Sequence, residues 1–271
     1  MYEKHWQLTS RPFDDQFDAR FYYPAESHQG ALFKLRYALE QGRGAATLTG
    51  PNGIGKTWLL ALLKRQLPEN FAPFCQVSFP ALPQADLLAY FAEELSASRF
   101  SAAPSSRESL RRIEDALLKA YEEQRRPLLV LDEAHLLHDP ALLESLRLLL
   151  NLLPGGRNPL GMLFVGHSNL LSALARFPAF DDRIAVKCQL QALTREETAG
   201  YVTHRLRQAG VKRDLLDTAG LDTLHDLTHG IPRRINRLCD LALVVGYAQG
   251  SVALTAGLLE SVNDELLQVT A

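Results

Sequence analysis

The sequence has 271 residues, 46% hydrophobic and 22% charged, which excludes an intrinsically disordered chain and allows one large or two modest domains. Its formal net charge of −2 gives no overall attraction to nucleic acid or to an anionic membrane surface, although a local basic patch stays open. The three cysteines are far apart and form no C-x-x-C pair, which argues against a zinc site or a disulfide framework.

The amino terminus does not resemble a targeting signal. Residues 1–6 lack a basic-then-apolar signal region, and no stretch approaches the roughly 18 consecutive apolar residues of a membrane span. We therefore expect a cytoplasmic chain without a direct membrane span, which reaches the inner membrane only peripherally, through a partner protein.

A glycine-rich segment of sequence GPNGIGKT joins the first predicted strand, Ala45–Thr49, to a predicted helix that starts near Trp58. This G-x-x-x-x-G-K-T pattern in a strand-loop-helix context is that of a P-loop, although a simple turn is the alternative. Glycines let successive N–H groups surround an anion, and the helix start adds positive charge. Lys56 is then expected to reach the β- and γ-phosphates of ATP, and the Thr57 hydroxyl to ligate Mg²⁺. The residues predicted to contact the nucleotide are Gly50, Pro51, Asn52, Gly53, Ile54, Gly55, Lys56, Thr57 and Trp58.

Strands and helices are predicted to alternate beyond this segment. The predicted strands are Phe74–Phe79, Leu128–Leu131, Met162–Val165 and Ala185–Leu190, and the predicted helices are Gln84–Leu95, Arg107–Glu123 and Leu142–Leu153, the last ending at Pro154-Gly155-Gly156. This alternation predicts an α/β fold with a doubly wound parallel sheet.

The pattern becomes helical after about Leu193. Thr194 and Glu197 form a capping-box pattern, and helical runs follow near 195–209, 221–228, 232–248 and 256–267. We therefore place a boundary near Ala192, between an α/β nucleotide-binding domain (1–192) and a small all-helical domain (193–271).

The apolar run Leu128–Leu131 ends in two carboxylates, Asp132 and Glu133. In P-loop enzymes an acidic residue at such a strand end holds Mg²⁺, and a neighbouring carboxylate polarises the attacking water. We assign Asp132 to the metal and Glu133 to the water. The alternative is a solvated strand end without a catalytic role.

Four segments together resemble the AAA+ ATPase domain of the ExeA (GspA) group of type II secretion: GPNGIGKT, LLVLDEAHLL, TREETAGYVTHRL and GIPRRINRLCDLAL. The amino-terminal segment RPFDDQFDARFYYPAESHQGALFKLRYAL is also similar to that group, so the likeness covers nearly the whole chain. The resemblance implies a P-loop AAA+ fold in which residues 193–271 form the lid. It also implies that residues 1–44 lie on the adenine side, although core packing of Phe13 and Phe21 is the alternative.

The resemblance also implies roles for three further residues. His167 is at the sensor-1 position, where the group usually has glutamine, and a loop histidine without a catalytic role is the alternative. Arg183 resembles the arginine finger that reaches the nucleotide of a neighbouring subunit, although a salt bridge to Asp181 or Asp182 is equally open. Arg233 resembles sensor 2, which closes onto the phosphates.

The function that the resemblance implies is hydrolysis of ATP, which drives oligomerisation or remodelling of a partner complex in envelope secretion or export. The chain itself is expected to form a homo-oligomeric ring or filament, with an envelope or export-system protein as its partner. Full-length secretion members continue into a membrane span and a peptidoglycan-binding region. This sequence stops at Ala271 without either, as a stand-alone form or a piece of a longer protein would.

Two other functions stay open at this point. A DNA-binding transposition regulator of the TnsC or TniB type has the same ATPase core, and it would need a continuous basic track that a net charge of −2 does not favour. The candidate basic clusters are Arg111-Arg112, Arg125-Arg126 and Arg233-Arg234-Arg237. A module that binds nucleotide without hydrolysing it is the third reading, and Glu133 argues against it.

Overall fold

The structure is a computed structural model of the chain and describes residues 1–14, 17–137, 139–153 and 158–268. Cα proximity divides the chain into two compact units. The helical unit comprises Met1–His28, Asn52–Trp58 and Gln191–Ala271, and the sheet unit comprises Gln29–Pro51 and Leu59–Leu190. The domain boundary near Ala192 stays a prediction.

The sheet unit is built on a five-stranded, wholly parallel sheet with the strand order β2-β3-β4-β1-β5. Its strands are β1 (Ala45–Thr49), β2 (Phe74–Val77), β3 (Leu128–Leu131), β4 (Gly161–Gly166) and β5 (Ile184–Gln189). The connecting helices are α2 (Glu26–Glu40), α3 (Lys56–Gln66), α4 (Gln84–Ser96), α5 (Ser106–Glu122), α6 (Pro140–Leu149), α7 (Asn169–Leu174) and α8 (Pro178–Asp181). The carboxyl ends of β1, β3 and β4 meet at one edge of the sheet, because Thr49 lies opposite Gly166 and Leu131 opposite Phe164.

The inner strands β1 and β3 are buried on both faces, whereas the outer strands β2 and β5 are partly exposed. Every residue of β1 and β3 is buried, as expected for parallel strands covered by helices on both sides. The apolar core includes Phe91 of α4, Ile113 of α5 and Phe164 of β4, each fully buried. The predicted bounds of β1 and β3 are confirmed residue for residue.

Two predicted elements end at least two residues earlier than expected. Strand β2 stops at Val77 instead of the predicted Phe79, which is 62% exposed and precedes Pro80. Helix α6 begins two residues before the predicted Leu142 because the Asp139 carboxylate accepts the Ala141 N–H, at 2.9 Å, ahead of the apolar run. It ends at Leu149, and the predicted Pro154-Gly155-Gly156 stop lies outside the described residues.

The helical unit contains α1 (Glu3–Trp6), α9 (Arg195–Gln208), α10 (Thr218–Thr228), α11 (Pro232–Ala248) and α12 (Ala256–Gln268). The predicted capping box of α9 is present, with the Thr194 hydroxyl accepting the Glu197 N–H at 3.1 Å. Gly230 precedes α11 at φ +67°, and a Cβ there would collide with the Leu193 carbonyl, so the turn into α11 requires glycine.

Aromatic and charged groups attach the amino-terminal segment to these helices. Trp6 is fully buried and its indole N–H donates to the Leu243 carbonyl at 2.9 Å. The buried Arg205 guanidinium donates to the Tyr201 hydroxyl at 2.6 Å and to the Asp14 carbonyl at 2.9 Å. These hydrogen bonds offset the cost of burying a charge and order residues 1–14 against α9 and α11.

The predicted fold class is confirmed, with a parallel α/β sheet followed by a helical carboxyl-terminal part. Within the described ranges, no helix combines the length and apolar composition needed to cross a bilayer. All three cysteines are buried and unpaired, and burial raises the pKa of the Cys188 thiol to about 11 and of the Cys75 thiol to about 12. The Cys75 and Cys188 thiols are therefore protonated at neutral pH.

Candidate functional site

The glycine-rich loop leaves the carboxyl edge of the sheet directly after Thr49, and α3 begins at Lys56. The first N–H groups of a helix have no intrahelical partners and lie at its positive end, so this start suits an anionic ligand. Lys56 is buried, with 8% of its surface exposed, whereas Thr57 is exposed. The local chain therefore has the strand, loop and helix that phosphate binding requires.

Arg233 lies against this loop within the helical unit. Its backbone N–H donates to the Gly53 carbonyl at 3.1 Å, and its side chain is exposed. Gly53 has φ +76°, and a Cβ at this position would lie 2.7 Å from the Arg233 Cβ, so a larger residue would displace α11 from the loop. The structure thus brings together two predicted site residues that are far apart in the sequence.

His28 also contacts the loop. Its Nε2 lies 2.8 Å from the Ile54 carbonyl, which can only accept, so Nε2 carries the proton. Nδ1 lies 3.2 Å from the Ser27 hydroxyl. Burial lowers the pKa of His28, despite the opposing effect of the Ile54 carbonyl, and this favours the neutral ring. Sequence reasoning placed His28 in the adenine-side segment and gave it no role of its own.

Aromatic rings gather around Trp58 at the start of α3. Tyr22 stacks on the indole with a centroid distance of 5.7 Å and an interplanar angle of 13°, and Phe17 lies 4.3 Å away, tilted by 41°. The Tyr22 hydroxyl is buried without a hydrogen-bond partner among the described residues, and burial raises its pKa. Phe13 and Phe21 instead pack in the core of the helical unit, as in the core-packing alternative.

Asp132 and Glu133 lie directly after β3 at the carboxyl edge of the sheet. Asp132 is 9% exposed, and its Oδ1 accepts the Glu133 N–H at 3.0 Å. The Gln76 side chain approaches the other oxygen at 3.5 Å. Glu133 has φ +52°, a left-handed conformation that is strained for a residue with a side chain. This conformation turns the chain at the strand end and leaves the Glu133 side chain 45% exposed.

Two histidines lie beside Glu133. His135 Nδ1 is 3.3 Å from Glu133 Oε2, and the His135 ring meets His167 edge to face with a centroid distance of 4.2 Å. His167 directly follows β4 and so lies at the end of a strand. Its role as sensor 1 stays a prediction. Sequence reasoning missed His135, although it stands in the same DEAH run as the two carboxylates.

Arg183 lies at the amino edge of the same sheet. It directly precedes β5, is exposed, and accepts the Ala45 N–H with its carbonyl at 3.3 Å. The loop starts at the far end of β1, about 16 Å away at the usual rise per strand residue. Asp181 pairs with Lys187 at 2.6 Å, and in the described part of the chain Arg183 has no ion pair, contrary to the salt-bridge alternative.

Comparison with known proteins identifies the family. Residues 39–174, just over half of the chain, match the family described as AAA domain. General secretion pathway protein A of Aeromonas hydrophila is 33% identical over 260 residues, a match that covers 95% of this chain and 47% of that protein. The chain thus spans about half the length of this curated relative.

Solved structures show the same fold at lower identity. The ORC2 protein of Aeropyrum pernix superposes with a TM-score of 0.69 at 21% identity, over 94% of this chain and 71% of that chain. An ORC structure of Drosophila bound to DNA gives a TM-score of 0.73 at 14% identity, over 97% of this chain and 66% of that chain. The family match over more than half of the chain shows that it belongs to the AAA domain family, as an AAA+ P-loop ATPase similar to general secretion pathway protein A.

Proposed function

We propose that the chain uses ATP hydrolysis to drive oligomerisation or remodelling of a partner complex in envelope secretion or export. The observation that carries this proposal is the 33% identity to general secretion pathway protein A across 95% of the chain. The partner is a protein of the export machinery, which would hold the chain peripherally at the inner membrane.

In this proposal the loop and its neighbours in the helical unit bind ATP. Backbone N–H groups of residues 50 and 52–57 surround the phosphates, Lys56 reaches the β- and γ-phosphates, and Arg233 adds a guanidinium. The Trp58–Tyr22 stack provides an apolar surface for the adenine, and the unpaired Tyr22 hydroxyl offers a hydrogen bond to the nucleoside. The contact between Arg233 and Gly53 supports the assignment of Arg233 as sensor 2.

Thr57 and Asp132 are the residues that would hold Mg²⁺. The donor set suits it, because a hydroxyl and a buried carboxylate are hard oxygen ligands. When bound, the ion neutralises charge that develops on the phosphates.

Glu133 is proposed to orient the attacking water and accept its proton. Its carboxylate is at the carboxyl edge of the sheet, where β1 delivers the loop, and it is partly open to solvent. His167, at the end of the strand between β1 and β3, is proposed to hydrogen-bond the γ-phosphate. Its ring contacts His135, which in turn faces Glu133.

Arg183 is proposed to act on the nucleotide of a neighbouring copy, so the working form is a homo-oligomer. Arg183 lies at the amino edge of the sheet, whereas the glycine-rich loop of the same chain follows β1 at the carboxyl edge. This separation supports an action on the nucleotide of a neighbouring copy. A guanidinium supplied in this way stabilises charge in the transition state of phosphoryl transfer.

An exchange of segments tests the secretion role. A chimera is made in which this chain replaces the matching segment of Aeromonas hydrophila general secretion pathway protein A. Protein secretion is then measured in cells that lack the native protein. We expect the chimera to restore secretion and the same chimera with Lys56→Ala to fail. A chimera that is expressed and hydrolyses ATP but does not restore secretion would contradict the proposed role.

DNA binding is the second candidate, and the exposed cluster Arg233-Arg234-Arg237 is the observation that favours it. The other two basic clusters are partly engaged within the chain. Arg112 covers the Phe100 ring at 3.6 Å, Arg125 pairs with Glu123, and Arg126 donates to the Glu40 carbonyl.

Fluorescence anisotropy with a labelled random duplex, with and without a slowly hydrolysed ATP analogue, separates the two candidates. We expect no ATP-dependent binding near physiological salt. Tight binding that falls by about 0.9 log units per log unit of salt for each contacted phosphate would favour the DNA-binding function instead.

A further inference from the structure

Three side chains at the carboxyl edge of the sheet each point a metal-ligating atom at the others. Glu133, His135 and His167 offer one carboxylate oxygen and two ring nitrogens, all within 4.8 Å of one another, and each residue is partly buried. Among the described residues, the buried Glu133 Oε2 has no hydrogen-bond partner, although it faces His135 Nδ1 at 3.3 Å. A cation between these atoms would satisfy that oxygen.

The distance between two of the three ligand atoms suits a tetrahedral metal ion. Ligand atoms bound to zinc at about 2.0–2.1 Å in a tetrahedron are about 3.4 Å apart, close to the 3.3 Å between Glu133 Oε2 and His135 Nδ1. The His167 ligand atom lies within 4.8 Å of the other two, so metal binding would require this partly exposed ring to rotate. One carboxylate and two imidazoles form a donor set that zinc takes in enzymes, with the fourth position left to water.

The backbone holds the three residues close together. Gly166 ends β4 directly before His167, and a Cβ on Gly166 would lie 3.0 Å from the His135 backbone nitrogen. Glycine at this position therefore lets the end of β4 approach the turn that carries His135. The left-handed conformation of Glu133 places its carboxylate on the same side as the His135 ring.

We propose that Glu133, His135 and His167 form a binding site for a divalent transition-metal ion of the zinc type, separate from the Mg²⁺ ligands. Mg²⁺ prefers oxygen ligands, whereas two imidazoles select borderline-soft ions. The lack of a cysteine pair does not bear on this site, because it uses no thiolate. The consequence rests on the proposed function: the bound ion occupies the Glu133 carboxylate and so stops it from activating water.

Cobalt(II) serves as the spectroscopic probe and zinc as the competitor, with metal-free and nucleotide-free protein that carries no affinity tag. We expect one Co²⁺ per chain, with the visible absorption of a low-symmetry four-coordinate ion that stoichiometric Zn²⁺ abolishes. His135→Ala and His167→Ala should each weaken binding at least about tenfold. His204→Ala, which removes a histidine hydrogen-bonded to the Arg20 carbonyl in the helical unit, should leave the affinity unchanged.

Metal binding that survives both cluster variants, or no binding by the intact chain, overturns the proposal. Circular dichroism melts of each variant confirm that a lost spectrum does not reflect unfolding, and His135→Gln is the second variant if His135→Ala is unstable. Because no turnover is involved, this outcome is independent of whether the chain hydrolyses ATP.

ATPase rates then test the consequence. With Mg²⁺ and ATP in excess, Zn²⁺ should lower phosphate release by the intact chain while fluorescent-nucleotide binding persists, and a zinc-selective chelator should restore the rate. For the intact chain and for His135→Gln, the ATPase rate with Zn²⁺ is divided by the rate without it. This ratio should lie closer to one in His135→Gln than in the intact chain. Equal inhibition of both proteins would contradict the inhibitory role, whereas a metal-free chain without any ATPase activity would contradict the proposed function instead.

Discussion

The helical unit and the sheet unit differ in the side chains that the proposed function assigns to them. The sheet unit places Asp132 and Glu133 at the carboxyl edge of its strands, together with two histidines. The helical unit holds Lys56 and Arg233 beside the glycine-rich loop, with a stacked aromatic pair next to them. Carboxylates activate water, whereas cations and aromatic rings bind phosphates and bases. Substitutions in the sheet unit should therefore affect turnover, and those in the helical unit should affect binding.

The largest expected effect comes from Arg183, which belongs to the sheet unit but lies at its other edge. Arg183→Ala should lower kcat by about 10³–10⁵-fold with little change in ATP affinity, as loss of an arginine finger does. Arg176→Ala, which removes another exposed arginine between α7 and α8, is the matched control and should retain full activity.

Mixing experiments sharpen this prediction. Arg183→Ala chains combined with Glu133→Gln chains should recover part of the activity, because some interfaces then pair an intact Arg183 with an intact Glu133. If the subunits exchange and the mixture stays inactive, or if the protein is fully active as a monomer, the assignment of Arg183 is wrong.

Glu133→Gln and Lys56→Ala compare the two units directly. Loss of the carboxylate should lower phosphate release by about 10²–10⁴-fold while ATP still binds, because the amide keeps the shape but cannot accept a proton. Lys56→Ala should instead weaken ATP binding in isothermal titration. Normal turnover by Glu133→Gln would contradict the role of the sheet unit in turnover. Unchanged ATP affinity in Lys56→Ala would contradict the role of the helical unit in ATP binding.

A stability measurement tests how firmly the amino-terminal segment belongs to the helical unit. Trp6→Ala removes a fully buried indole and its hydrogen bond to Leu243, and it should lower the free energy of unfolding by about 3–5 kcal/mol in urea titrations. Hydrogen exchange should increase first in α11. Phe33→Ala removes an aromatic ring that is 66% exposed and should change stability by no more than about 0.5 kcal/mol. An equally small effect of Trp6→Ala would show that the segment is dispensable.

The smallest expected effect concerns pH and His28. Since burial lowers its folded pKa below the ordinary 6.5, the unfolded chain binds a proton that the folded chain does not, and stability is lost as pH falls below about 6.5. His28→Gln keeps an N–H donor for the Ile54 carbonyl but does not titrate, so it should reduce the loss of stability between pH 7.5 and pH 5.0. His204→Gln is the control. An unchanged pH dependence in His28→Gln would show that this histidine is not buried in its neutral form.

Local patterns in the sequence were enough to predict the elements that carry the site. The glycine spacing and the Lys-Thr pair predicted the loop between β1 and α3, and the apolar runs predicted β1 and β3 with their correct ends. The capping box predicted the start of α9, and Pro232 the start of α11. Each of these signals depends on residues within about one or two turns of chain, so no long-range information was needed.

Tertiary structure alone decided which distant residues meet. The strand order β2-β3-β4-β1-β5 puts β4 between β1 and β3, which brings His167 to the acidic pair and to His135. Packing of Trp6 and Arg205 attaches residues 1–14 to the carboxyl-terminal helices, and the close approach at Gly53 seats Arg233 on the loop. These contacts depend on the side-chain shapes of several elements at once, and no local period or spacing in the sequence encodes them.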